Sequence, residues 1–363
     1  MKIAGVIAEF NPFHNGHEYL LKKIKNEFNP DLLVVVLSSY FTMRGELSIH
    51  SPFLKAKYAL NNADLIISLP FYEAINSADK FAENAVLELS KVGVTDLFFG
   101  SEENEANLFN KWDTIFKENQ TKIKESLNEG LSYKASTSSI LDIKPNDLLG
   151  YAYYKAIKKH SLAMNIHLIK RLGSNHGELV PGDKTFSSSS AIRNDLSLIN
   201  SYCPKYVLKE ALDFELLFPY FKYLILSHNR SDFKNLAFLS EGIENLIIKN
   251  TVKAKSFKEL ISLATTKRYT KSRIRRSILY MLFMVPKITT SYDLTRVLGY
   301  NQSGKEYLNK IKKQIKLATN IKDGLNPILD IELKIAKILD LVYGTNNLSL
   351  EQQGPILWEE SND

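Results

Sequence analysis

The sequence predicts an α/β fold, a doubly wound parallel sheet followed by a mostly α-helical C-terminal domain. Short apolar runs alternate with longer helical patterns through the first half of the chain, which is the βαβα order of such a sheet. From about Cys203 onward the strand pattern fades and amphipathic patterns take over. A chain of 363 residues is long for one core, so we expect two domains, residues 1–200 and 201–363.

Four runs have the composition of buried strands, and NIHLIK is predicted as a fifth strand. The four are short and apolar, and LLVVVLS is also rich in β-branched residues, as expected for a parallel strand covered on both faces. Because ligands bind at the carboxyl ends of parallel strands, the residues that follow these runs are the first candidates for a site. The predicted strands are residues 2–8, 32–38, 65–70, 96–100 and 165–170.

Helical periodicity fills the intervals between these strands and most of the second half of the chain. The predicted helices of the first half are residues 52–61, 75–91, 105–128 and 147–160. Those of the second half are residues 255–264, 271–284, 305–317 and 328–342. The last stretch, residues 351–363, shows no pattern that predicts a structure.

Composition excludes several classes of protein. No apolar run reaches the roughly 18–20 residues of a membrane span, and Glu9 and Asn11 interrupt the N-terminal apolar stretch where a signal peptide would continue. Cys203 is the single cysteine, so no internal disulfide and no CxxC metal pair can form. We therefore expect a cytoplasmic protein with no membrane anchor and no structural metal, and no feature indicates an obligate protein partner.

The net charge of +7 is unevenly distributed along the chain. Residues 249–322 contain eighteen Lys or Arg and three acids, a net of +15, so the rest of the chain carries 7 − 15 = −8. A basic block on an otherwise acidic protein indicates a polyanionic partner such as nucleic acid. The alternative is a solvated helix surface that is rich in lysine.

The first strand leads into the segment EFNPFHNGHEYLL, in which a turn precedes a helical pattern. His14 and His17 are three residues apart and share one face of the first helical turn. Gly16 between them allows close approach to the backbone, and a helix N-terminus attracts anions. This arrangement suits a triphosphate whose α-phosphorus is attacked. The alternatives are two unrelated surface histidines, or a zinc site that lacks an evident third ligand.

The segment FNPFHNGH resembles the signature of the HxGH nucleotidyltransferases, which make adenylates or cytidylates from ATP or CTP. Further segments are similar to those of one family within this group, the bacterial tRNA(Met) cytidine acetate ligases, and the resemblance extends to about residue 345. The segments are FGSE, PNDLLGYAYYKA, KRLG, SSSSAIR, EGIEN, KRYTKSRIRR and RVLGYNQSG. The HNGH motif is shared by many enzymes, whereas the C-terminal set is more specific.

The resemblance implies an HxGH nucleotidyltransferase-like Rossmann fold and a reaction in two steps. Acetate attacks the α-phosphorus of ATP to give acetyl-adenylate, and the wobble cytidine of elongator tRNA(Met) then takes the acetyl group on N4. Mg²⁺ is implied as the counter-ion of the triphosphate. The catalytic pair would be His14 and His17. The ATP-binding positions implied are Ile7, Ala8, Glu9, Phe10, Asn11, Pro12, Phe13, His14, Asn15, Gly16, His17, Glu18, Tyr19, Leu20, Gly100, Asn146 and Arg171.

Residue chemistry agrees with three of these positions. Gly100 ends a predicted strand where a nucleotide can pass close to the backbone, although strand-ending turns use glycine too. Asn146 opens a helical pattern, so it caps that helix or binds ribose or base. Arg171 also ends a strand and offers a bidentate fork to phosphate, or forms a surface salt bridge.

Two further groups complete the predicted site. In SSSSAIR, Ser188 precedes a helical pattern that carries Arg193. In HxGH enzymes such a combination closes over the pyrophosphate. The alternative is a plain serine N-cap with a solvent-facing arginine. In the basic block, cations surround one tyrosine that could stack on a base. The predicted nucleic-acid contacts are Lys267, Arg268, Tyr269, Lys271, Arg273, Arg275 and Arg276.

Two other functions fit part of the sequence. A small-molecule adenylyltransferase acting on a phosphorylated metabolite shares the HNGH motif but has no need of a basic helical domain. A non-enzymatic RNA-binding protein uses the basic block but leaves His14, Gly16 and His17 without a purpose. The sequence identifies no acetate-binding residue, general base or oligomeric state. Arg44, after the second predicted strand, contacts tRNA or phosphate or else has a plain loop role, and Lys55 and Lys57 are similar cases that stay outside the predicted site.

Overall fold

The computed structural model describes residues 1–105, 107–128, 136, 140–172 and 185–358. Gly173 of the KRLG segment and part of the predicted helix 105–128, at Ala106, lie outside the described residues. Within the described chain, strands are β1 Ile3–Ala8, β2 Leu32–Ser38, β3 Leu65–Leu69, β4 Asp96–Ser101, β5 Asn165–Lys170, β6 Leu294–Tyr300, β7 Lys316–Ala318 and β8 Ile356–Leu357.

The helices lie between these strands along the chain. They are α1 Asn15–Lys23, α2 Pro52–Leu60, α3 Phe71–Ala74, α4 Ala78–Lys91, α5 Leu108–Glu118, α6 Gln120–Asn128, α7 Pro145–Lys159, α8 Ser189–Asn194, α9 Ile199–Tyr202, α10 Phe218–Ser227, α11 Ile243–Lys253, α12 Phe257–Ala264, α13 Lys271–Leu282, α14 Gln302–Ile311, α15 Pro327–Tyr343 and α16 Asn347–Gln353. No helix in the described ranges is both long and apolar enough to cross a bilayer.

The strands form one mostly parallel sheet in the order β5-β4-β1-β2-β3-β6-β7, with β8 beside β6. Strands β1 to β5 are mutually parallel, and β6 runs antiparallel to β3. The chain leaves β1 toward β2 and β3 on one side and returns to β4 and β5 on the other. The carboxyl ends of β1 and β4 therefore border the topological switch point, which is where ligands bind in such sheets.

The second strand shows why the central strands are apolar throughout. Val34 and Val36 pack into the core on one face of the sheet, and Val35 and Leu37 pack into the core on the other face. Both faces are covered by helices, so the alternation typical of a half-exposed strand is absent. The predicted α/β fold with a doubly wound sheet is confirmed.

Strand β6 was predicted neither as a strand nor as part of the sheet. Its sequence, LTRVLGY, contains Arg296, and that side chain is only 1% exposed. Arg296 Nη2 lies 3.2 Å from Glu351 Oε2, and its guanidinium also donates to the carbonyl of Glu351. Arg296 interrupts the apolar run by which a buried strand is recognised. Its partner Glu351 lies 55 residues further along the chain, so the local sequence does not show that the charge is paired.

The same segment corrects the predicted extent of helix in the second half. Residues 305–317 were predicted as one helix, but α14 ends at Ile311 and β7 follows. The residues after 351, for which no structure was predicted, include β8, which pairs with β6. The second half is therefore mostly helical, but its last part also adds β6, β7 and β8 to the sheet. The domain division at residue 200 stays a prediction.

Candidate active site

The turn after β1 is held in place by Lys55 of α2. This lysine is fully buried, and its Nζ donates to the carbonyl oxygens of Glu9 at 3.1 Å, Ser38 at 2.8 Å and Ser39 at 2.8 Å. A fourth contact, at 3.1 Å, joins it to Ser48 Oγ. The lysine thus ties the carboxyl ends of β1 and β2 together. Its neighbour Lys57 is exposed, so the two lysines, equivalent in sequence, have different roles.

Asn11 stabilises the other side of the same turn. Its side chain is buried, with Oδ1 accepting from the Ile49 N–H at 2.9 Å and Nδ2 donating to the Leu47 carbonyl at 3.4 Å. Its own carbonyl accepts from Arg193 Nη1 at 2.6 Å. Asn11 therefore orients the backbone that leads to His14.

His14 and His17 form the N-terminal cap of α1. The Gly16 N–H donates to His14 Nδ1 at 3.0 Å, and the His14 N–H donates to His17 Nδ1 at 3.3 Å. The two rings stack with centroids 3.8 Å apart and planes inclined by 22°. The predicted placement on one helix face is confirmed, and each Nδ1 is committed to the backbone.

This hydrogen bonding fixes the tautomer of both rings. A backbone N–H can only donate, so each Nδ1 must be an unprotonated acceptor, and a neutral ring then carries its proton on Nε2. Burial, together with the positive charges of Arg171 and Arg193, lowers the pKa of His14 to about 3. Burial and the neighbouring His14 lower the pKa of His17 well below its usual value. At neutral pH the pair is uncharged and offers two Nε2–H donors to a ligand.

The lowered pKa of His14 makes stability depend on pH. The unfolded chain protonates this ring below about pH 6.5, whereas the folded protein does so only near pH 3, so the free energy of unfolding falls as pH drops through that window, by up to about 1.4 kcal/mol per unit. His14→Asn retains an acceptor for Gly16 and removes the titration. We expect it to reduce the stability lost between pH 7 and pH 5 by about 2 kcal/mol in urea unfolding.

An identical pH dependence for His14→Asn and the unaltered chain would contradict the assignment of a neutral, buried His14.

Gly16 is needed for the position of His14 rather than for ligand access alone. A Cβ on Gly16 would lie 2.9 Å from Cε1 of the His14 ring, so any larger residue displaces that ring. Beside the pair, a cavity opens between α1 and the carboxyl ends of β4 and β5. Its lining consists of His14, Gly16, His17, Tyr19, Leu20, Gly100, Ile169, Lys170, Arg171, Leu172, Phe186 and Ser187.

Arg171 and Gly100 form the wall of this cavity opposite the histidines. A Cβ on Gly100 would lie 3.0 Å from Cγ of Arg171, so the arginine packs directly on the end of β4. Arg171 Nε lies 3.9 Å from Glu102 Oε1, and Asn146 Nδ2 donates to the same carboxylate oxygen. Asn146 therefore acts here through Glu102, on Arg171, and does not line the cavity.

A sequence model of the HIGH Nucleotidyl Transferase family matches residues 1–353. The chain is 31% identical over 364 residues to the tRNA(Met) cytidine acetate ligase of Staphylococcus aureus (strain JH9), covering 95% of this chain and 96% of that protein. The chain belongs to the tRNA(Met) cytidine acetate ligase family. The S. aureus (strain USA300) ligase matches equally well.

Two crystal structures agree with this family assignment. The apo form of Thermotoga maritima TmcAL superposes with a TM-score of 0.86 at 26% identity, covering 98% of this chain and 99% of that chain. TmcAL bound with α-thio ATP superposes with a TM-score of 0.83 at the same identity and coverage. The fold of an acetate ligase of this family is therefore shared along nearly the whole chain.

The other residues predicted around the HNGH motif lie in β1, in the turn after it, or in α1. Ile7 and Ala8 belong to β1, and Pro12 is buried in the turn. Phe10 and Phe13 are buried, with ring centroids 4.8 and 5.9 Å from that of His17. Two of the polar members contact distant segments of the chain and one pairs within α1. Glu9 accepts from the Met43 N–H, Asn15 donates to the Thr185 carbonyl, and Glu18 pairs with Lys22.

The SSSSAIR segment forms the predicted N-cap, but its arginine does not face solvent. Ser188 is the N-cap of α8, where its Oγ accepts from the Ala191 N–H at 3.1 Å. Arg193 is turned inward, bound to Asn11 and, through Nη2 at 3.0 Å, to Glu46 Oε2. Ser187, which sequence reasoning did not single out, is the serine that lines the cavity.

The predicted nucleic-acid residues separate into exposed and packed members. Lys267 and Lys271 are exposed, as is most of the Arg268 side chain. Tyr269 is only 7% exposed and donates to the Glu241 carbonyl, while the guanidinium groups of Arg268 and Arg273 lie over its ring at 5.6 and 5.0 Å. Two arginines of its own chain cover the ring in this structure, and stacking of Tyr269 on a base stays a prediction.

The remaining arginines of this group face the HNGH side of the molecule. Arg275 Nη1 lies 2.6 Å from Glu46 Oε1, and Arg276 Nη1 donates to the Met43 carbonyl. Glu46 thus joins Arg193 of α8 to Arg275 of α13, although no sequence pattern had singled it out. Its position at the tip of a loop after β2 is visible only in the folded chain.

Proposed function

We propose that this protein is an ATP-dependent acetate ligase that acetylates the wobble cytidine of elongator tRNA(Met). An acetate oxygen attacks the α-phosphorus of ATP, forming acetyl-adenylate and releasing pyrophosphate. The N4 amine of the cytidine then attacks the carbonyl carbon, the bond to AMP breaks and the amine loses a proton. The products are N4-acetylcytidine and AMP.

The stacked, neutral histidine pair is the observation that carries the proposal. Its two Nε2–H donors stand at the N-terminus of α1 beside the switch point of the sheet, and Arg171 forms the opposite wall. Donors fixed before the reaction stabilise charge that develops on phosphate without having to reorganise. A pair that keeps its protons cannot serve as a general base, so its proposed role is electrostatic.

Three further findings support the substrates. The S. aureus relative is named a tRNA(Met) cytidine acetate ligase, and the T. maritima relative was crystallised with α-thio ATP. The basic block between residues 249 and 322 supplies charge for RNA. Reaction on tRNA places the proposed activity in the cytoplasm.

Magnesium enters this proposal as the counter-ion of the triphosphate. In the described parts of the chain no three His, Cys, Asp or Glu residues are grouped to hold a metal ion. Phosphate oxygens and water, which Mg²⁺ accepts readily, would therefore supply most of its ligands.

Pyrophosphate release tests the proposal against the alternatives. With ATP and tRNA present, we expect release only when acetate is added. Release that needs a phosphorylated metabolite in place of acetate would indicate a small-molecule adenylyltransferase, and no release under any condition would indicate an RNA-binding protein without this activity.

A further inference from the structure

A second cavity, of about 470 Å³, lies between the loop after β2 and helices α12 and α13. Six of its lining residues carry the argument: Glu46, Arg193, Phe214, Ile261, Lys271 and Arg275. We propose that this cavity binds the acceptor cytidine nucleotide of the RNA, with the Glu46 carboxylate accepting a hydrogen bond from the exocyclic amine. The inference rests on the proposed function and locates its second substrate.

The Glu46 carboxylate is held in place by two arginines and can still accept further hydrogen bonds. Oε2 accepts from Arg193 Nη2 at 3.0 Å, and Oε1 accepts from Arg275 Nη1 at 2.6 Å. A carboxylate offers about four acceptor sites, so each oxygen can accept one more bond. Carboxylates are the side chains that pair with the N4 amine of cytosine. Glu46 therefore suits that amine while both arginines keep it in place.

The loop that carries Glu46 is held firmly against α13. Gly45 has a φ of +75°, a conformation that favours glycine, and a Cβ there would lie 2.8 Å from the backbone nitrogen of Arg276. Only glycine allows the loop to approach the helix so closely. The carboxylate of the next residue is consequently positioned by backbone packing as well as by its two arginines.

The rest of the cavity matches the two parts of a nucleotide. Phe214 and Ile261 provide an apolar wall, and the fully buried ring of Phe257 stacks against that of Phe214 with centroids 4.2 Å apart. Lys271 is exposed at the start of α13, beside Arg275. An apolar wall suits a base, while a cationic rim suits the flanking phosphate. The volume lies within the range of small-ligand pockets.

Arg193 connects this cavity with the first site. It lines the cavity, donates to the carbonyl of Asn11 in the turn before His14, and contributes to the electrostatic environment of His14. Only the Arg193 side chain would thus stand between a nucleotide bound to Glu46 and the turn that leads to His14. This adjacency is what transfer of an acyl group from adenylate to amine requires.

The test blocks the cavity without disturbing the core. Ser262 lines the cavity and is exposed on α12, whereas the next residue, Leu263, is exposed but does not line it. Ser262→Trp should raise the KM for tRNA roughly tenfold or more by steric exclusion and retain acetate-dependent pyrophosphate exchange. Leu263→Trp, the matched control, should change neither quantity.

Glu46→Gln tests the contact with the amine. It should lower kcat for acetyl transfer about tenfold to a hundredfold, while pyrophosphate exchange persists, because a charge-assisted acceptor is removed. Unchanged acetyl transfer in Ser262→Trp or in Glu46→Gln would overturn the inference. An equal loss of pyrophosphate exchange and acetyl transfer would also overturn it, because the cavity would then contribute to the reaction with ATP. Absence of RNA acetylation by the unaltered protein would instead refute the proposed function.

Discussion

His17→Asn is expected to lower the kcat of acetate-dependent pyrophosphate exchange by about 10²–10³-fold. The Asn amide oxygen can occupy the place of Nδ1 and keep the bond from the His14 N–H, so the cap of α1 is retained. What is lost is the Nε2–H donor, and removal of one preorganised donor to a developing charge has an effect of this size. The measurement is exchange kinetics at saturating ATP and acetate.

His17→Gln is the informative companion, because its longer side chain can place an amide N–H near the former Nε2. We expect it to retain more exchange activity than His17→Asn despite weaker capping. His160→Asn, a change of the same kind at an exposed position, should leave the rate unaltered. Activity that follows helix capping instead, with Asn better than Gln, would show that the ring serves structure alone.

Lys55→Met should reduce the free energy of unfolding by about 3–5 kcal/mol. Methionine fills a similar volume but leaves the carbonyls of Glu9, Ser38 and Ser39 without their shared donor inside the protein. Buried polar groups that lose a charged partner are costly, and here three strand-end carbonyls are affected. Urea unfolding followed by circular dichroism measures the loss.

Lys57→Met on the same helix is the matched control for this prediction. Its side chain is exposed, so we expect a change within about 0.5 kcal/mol. Equal stabilities for the two variants would contradict the role assigned to Lys55. The Lys55→Met variant should also weaken ATP binding, since Lys55 holds the turn that leads to His14.

Strands β1 to β4 could be predicted because burial on both faces leaves a direct trace in composition. Strand β5 was predicted as well, although it lies at the edge of the sheet and is only partly buried. Val34 to Leu37 all pack in cores, so the run is apolar without interruption. Strand β6 left no such trace, since Arg296 is buried by a pairing with Glu351 that lies 55 residues further along. Long-range charge pairs of this kind are not visible in a local pattern.

The histidine pair could be predicted from spacing, since residues three apart meet on a helix face and the rings do stack. Their protonation could not, because it depends on which nitrogen accepts a backbone bond and on burial. Tertiary structure likewise decides the contrast between Lys55 and Lys57, and the bridging position of Glu46. The functional roles of these residues remain predictions to be tested by the variants above.

Incubation with ATP, labelled acetate and total tRNA from a strain that lacks the modification, followed by nucleoside analysis, tests the central claim most directly. The account predicts labelled N4-acetylcytidine in elongator tRNA(Met), and its disappearance with His17→Asn. Absence of label in the RNA while the protein still binds ATP would contradict the account and favour adenylylation of a small metabolite.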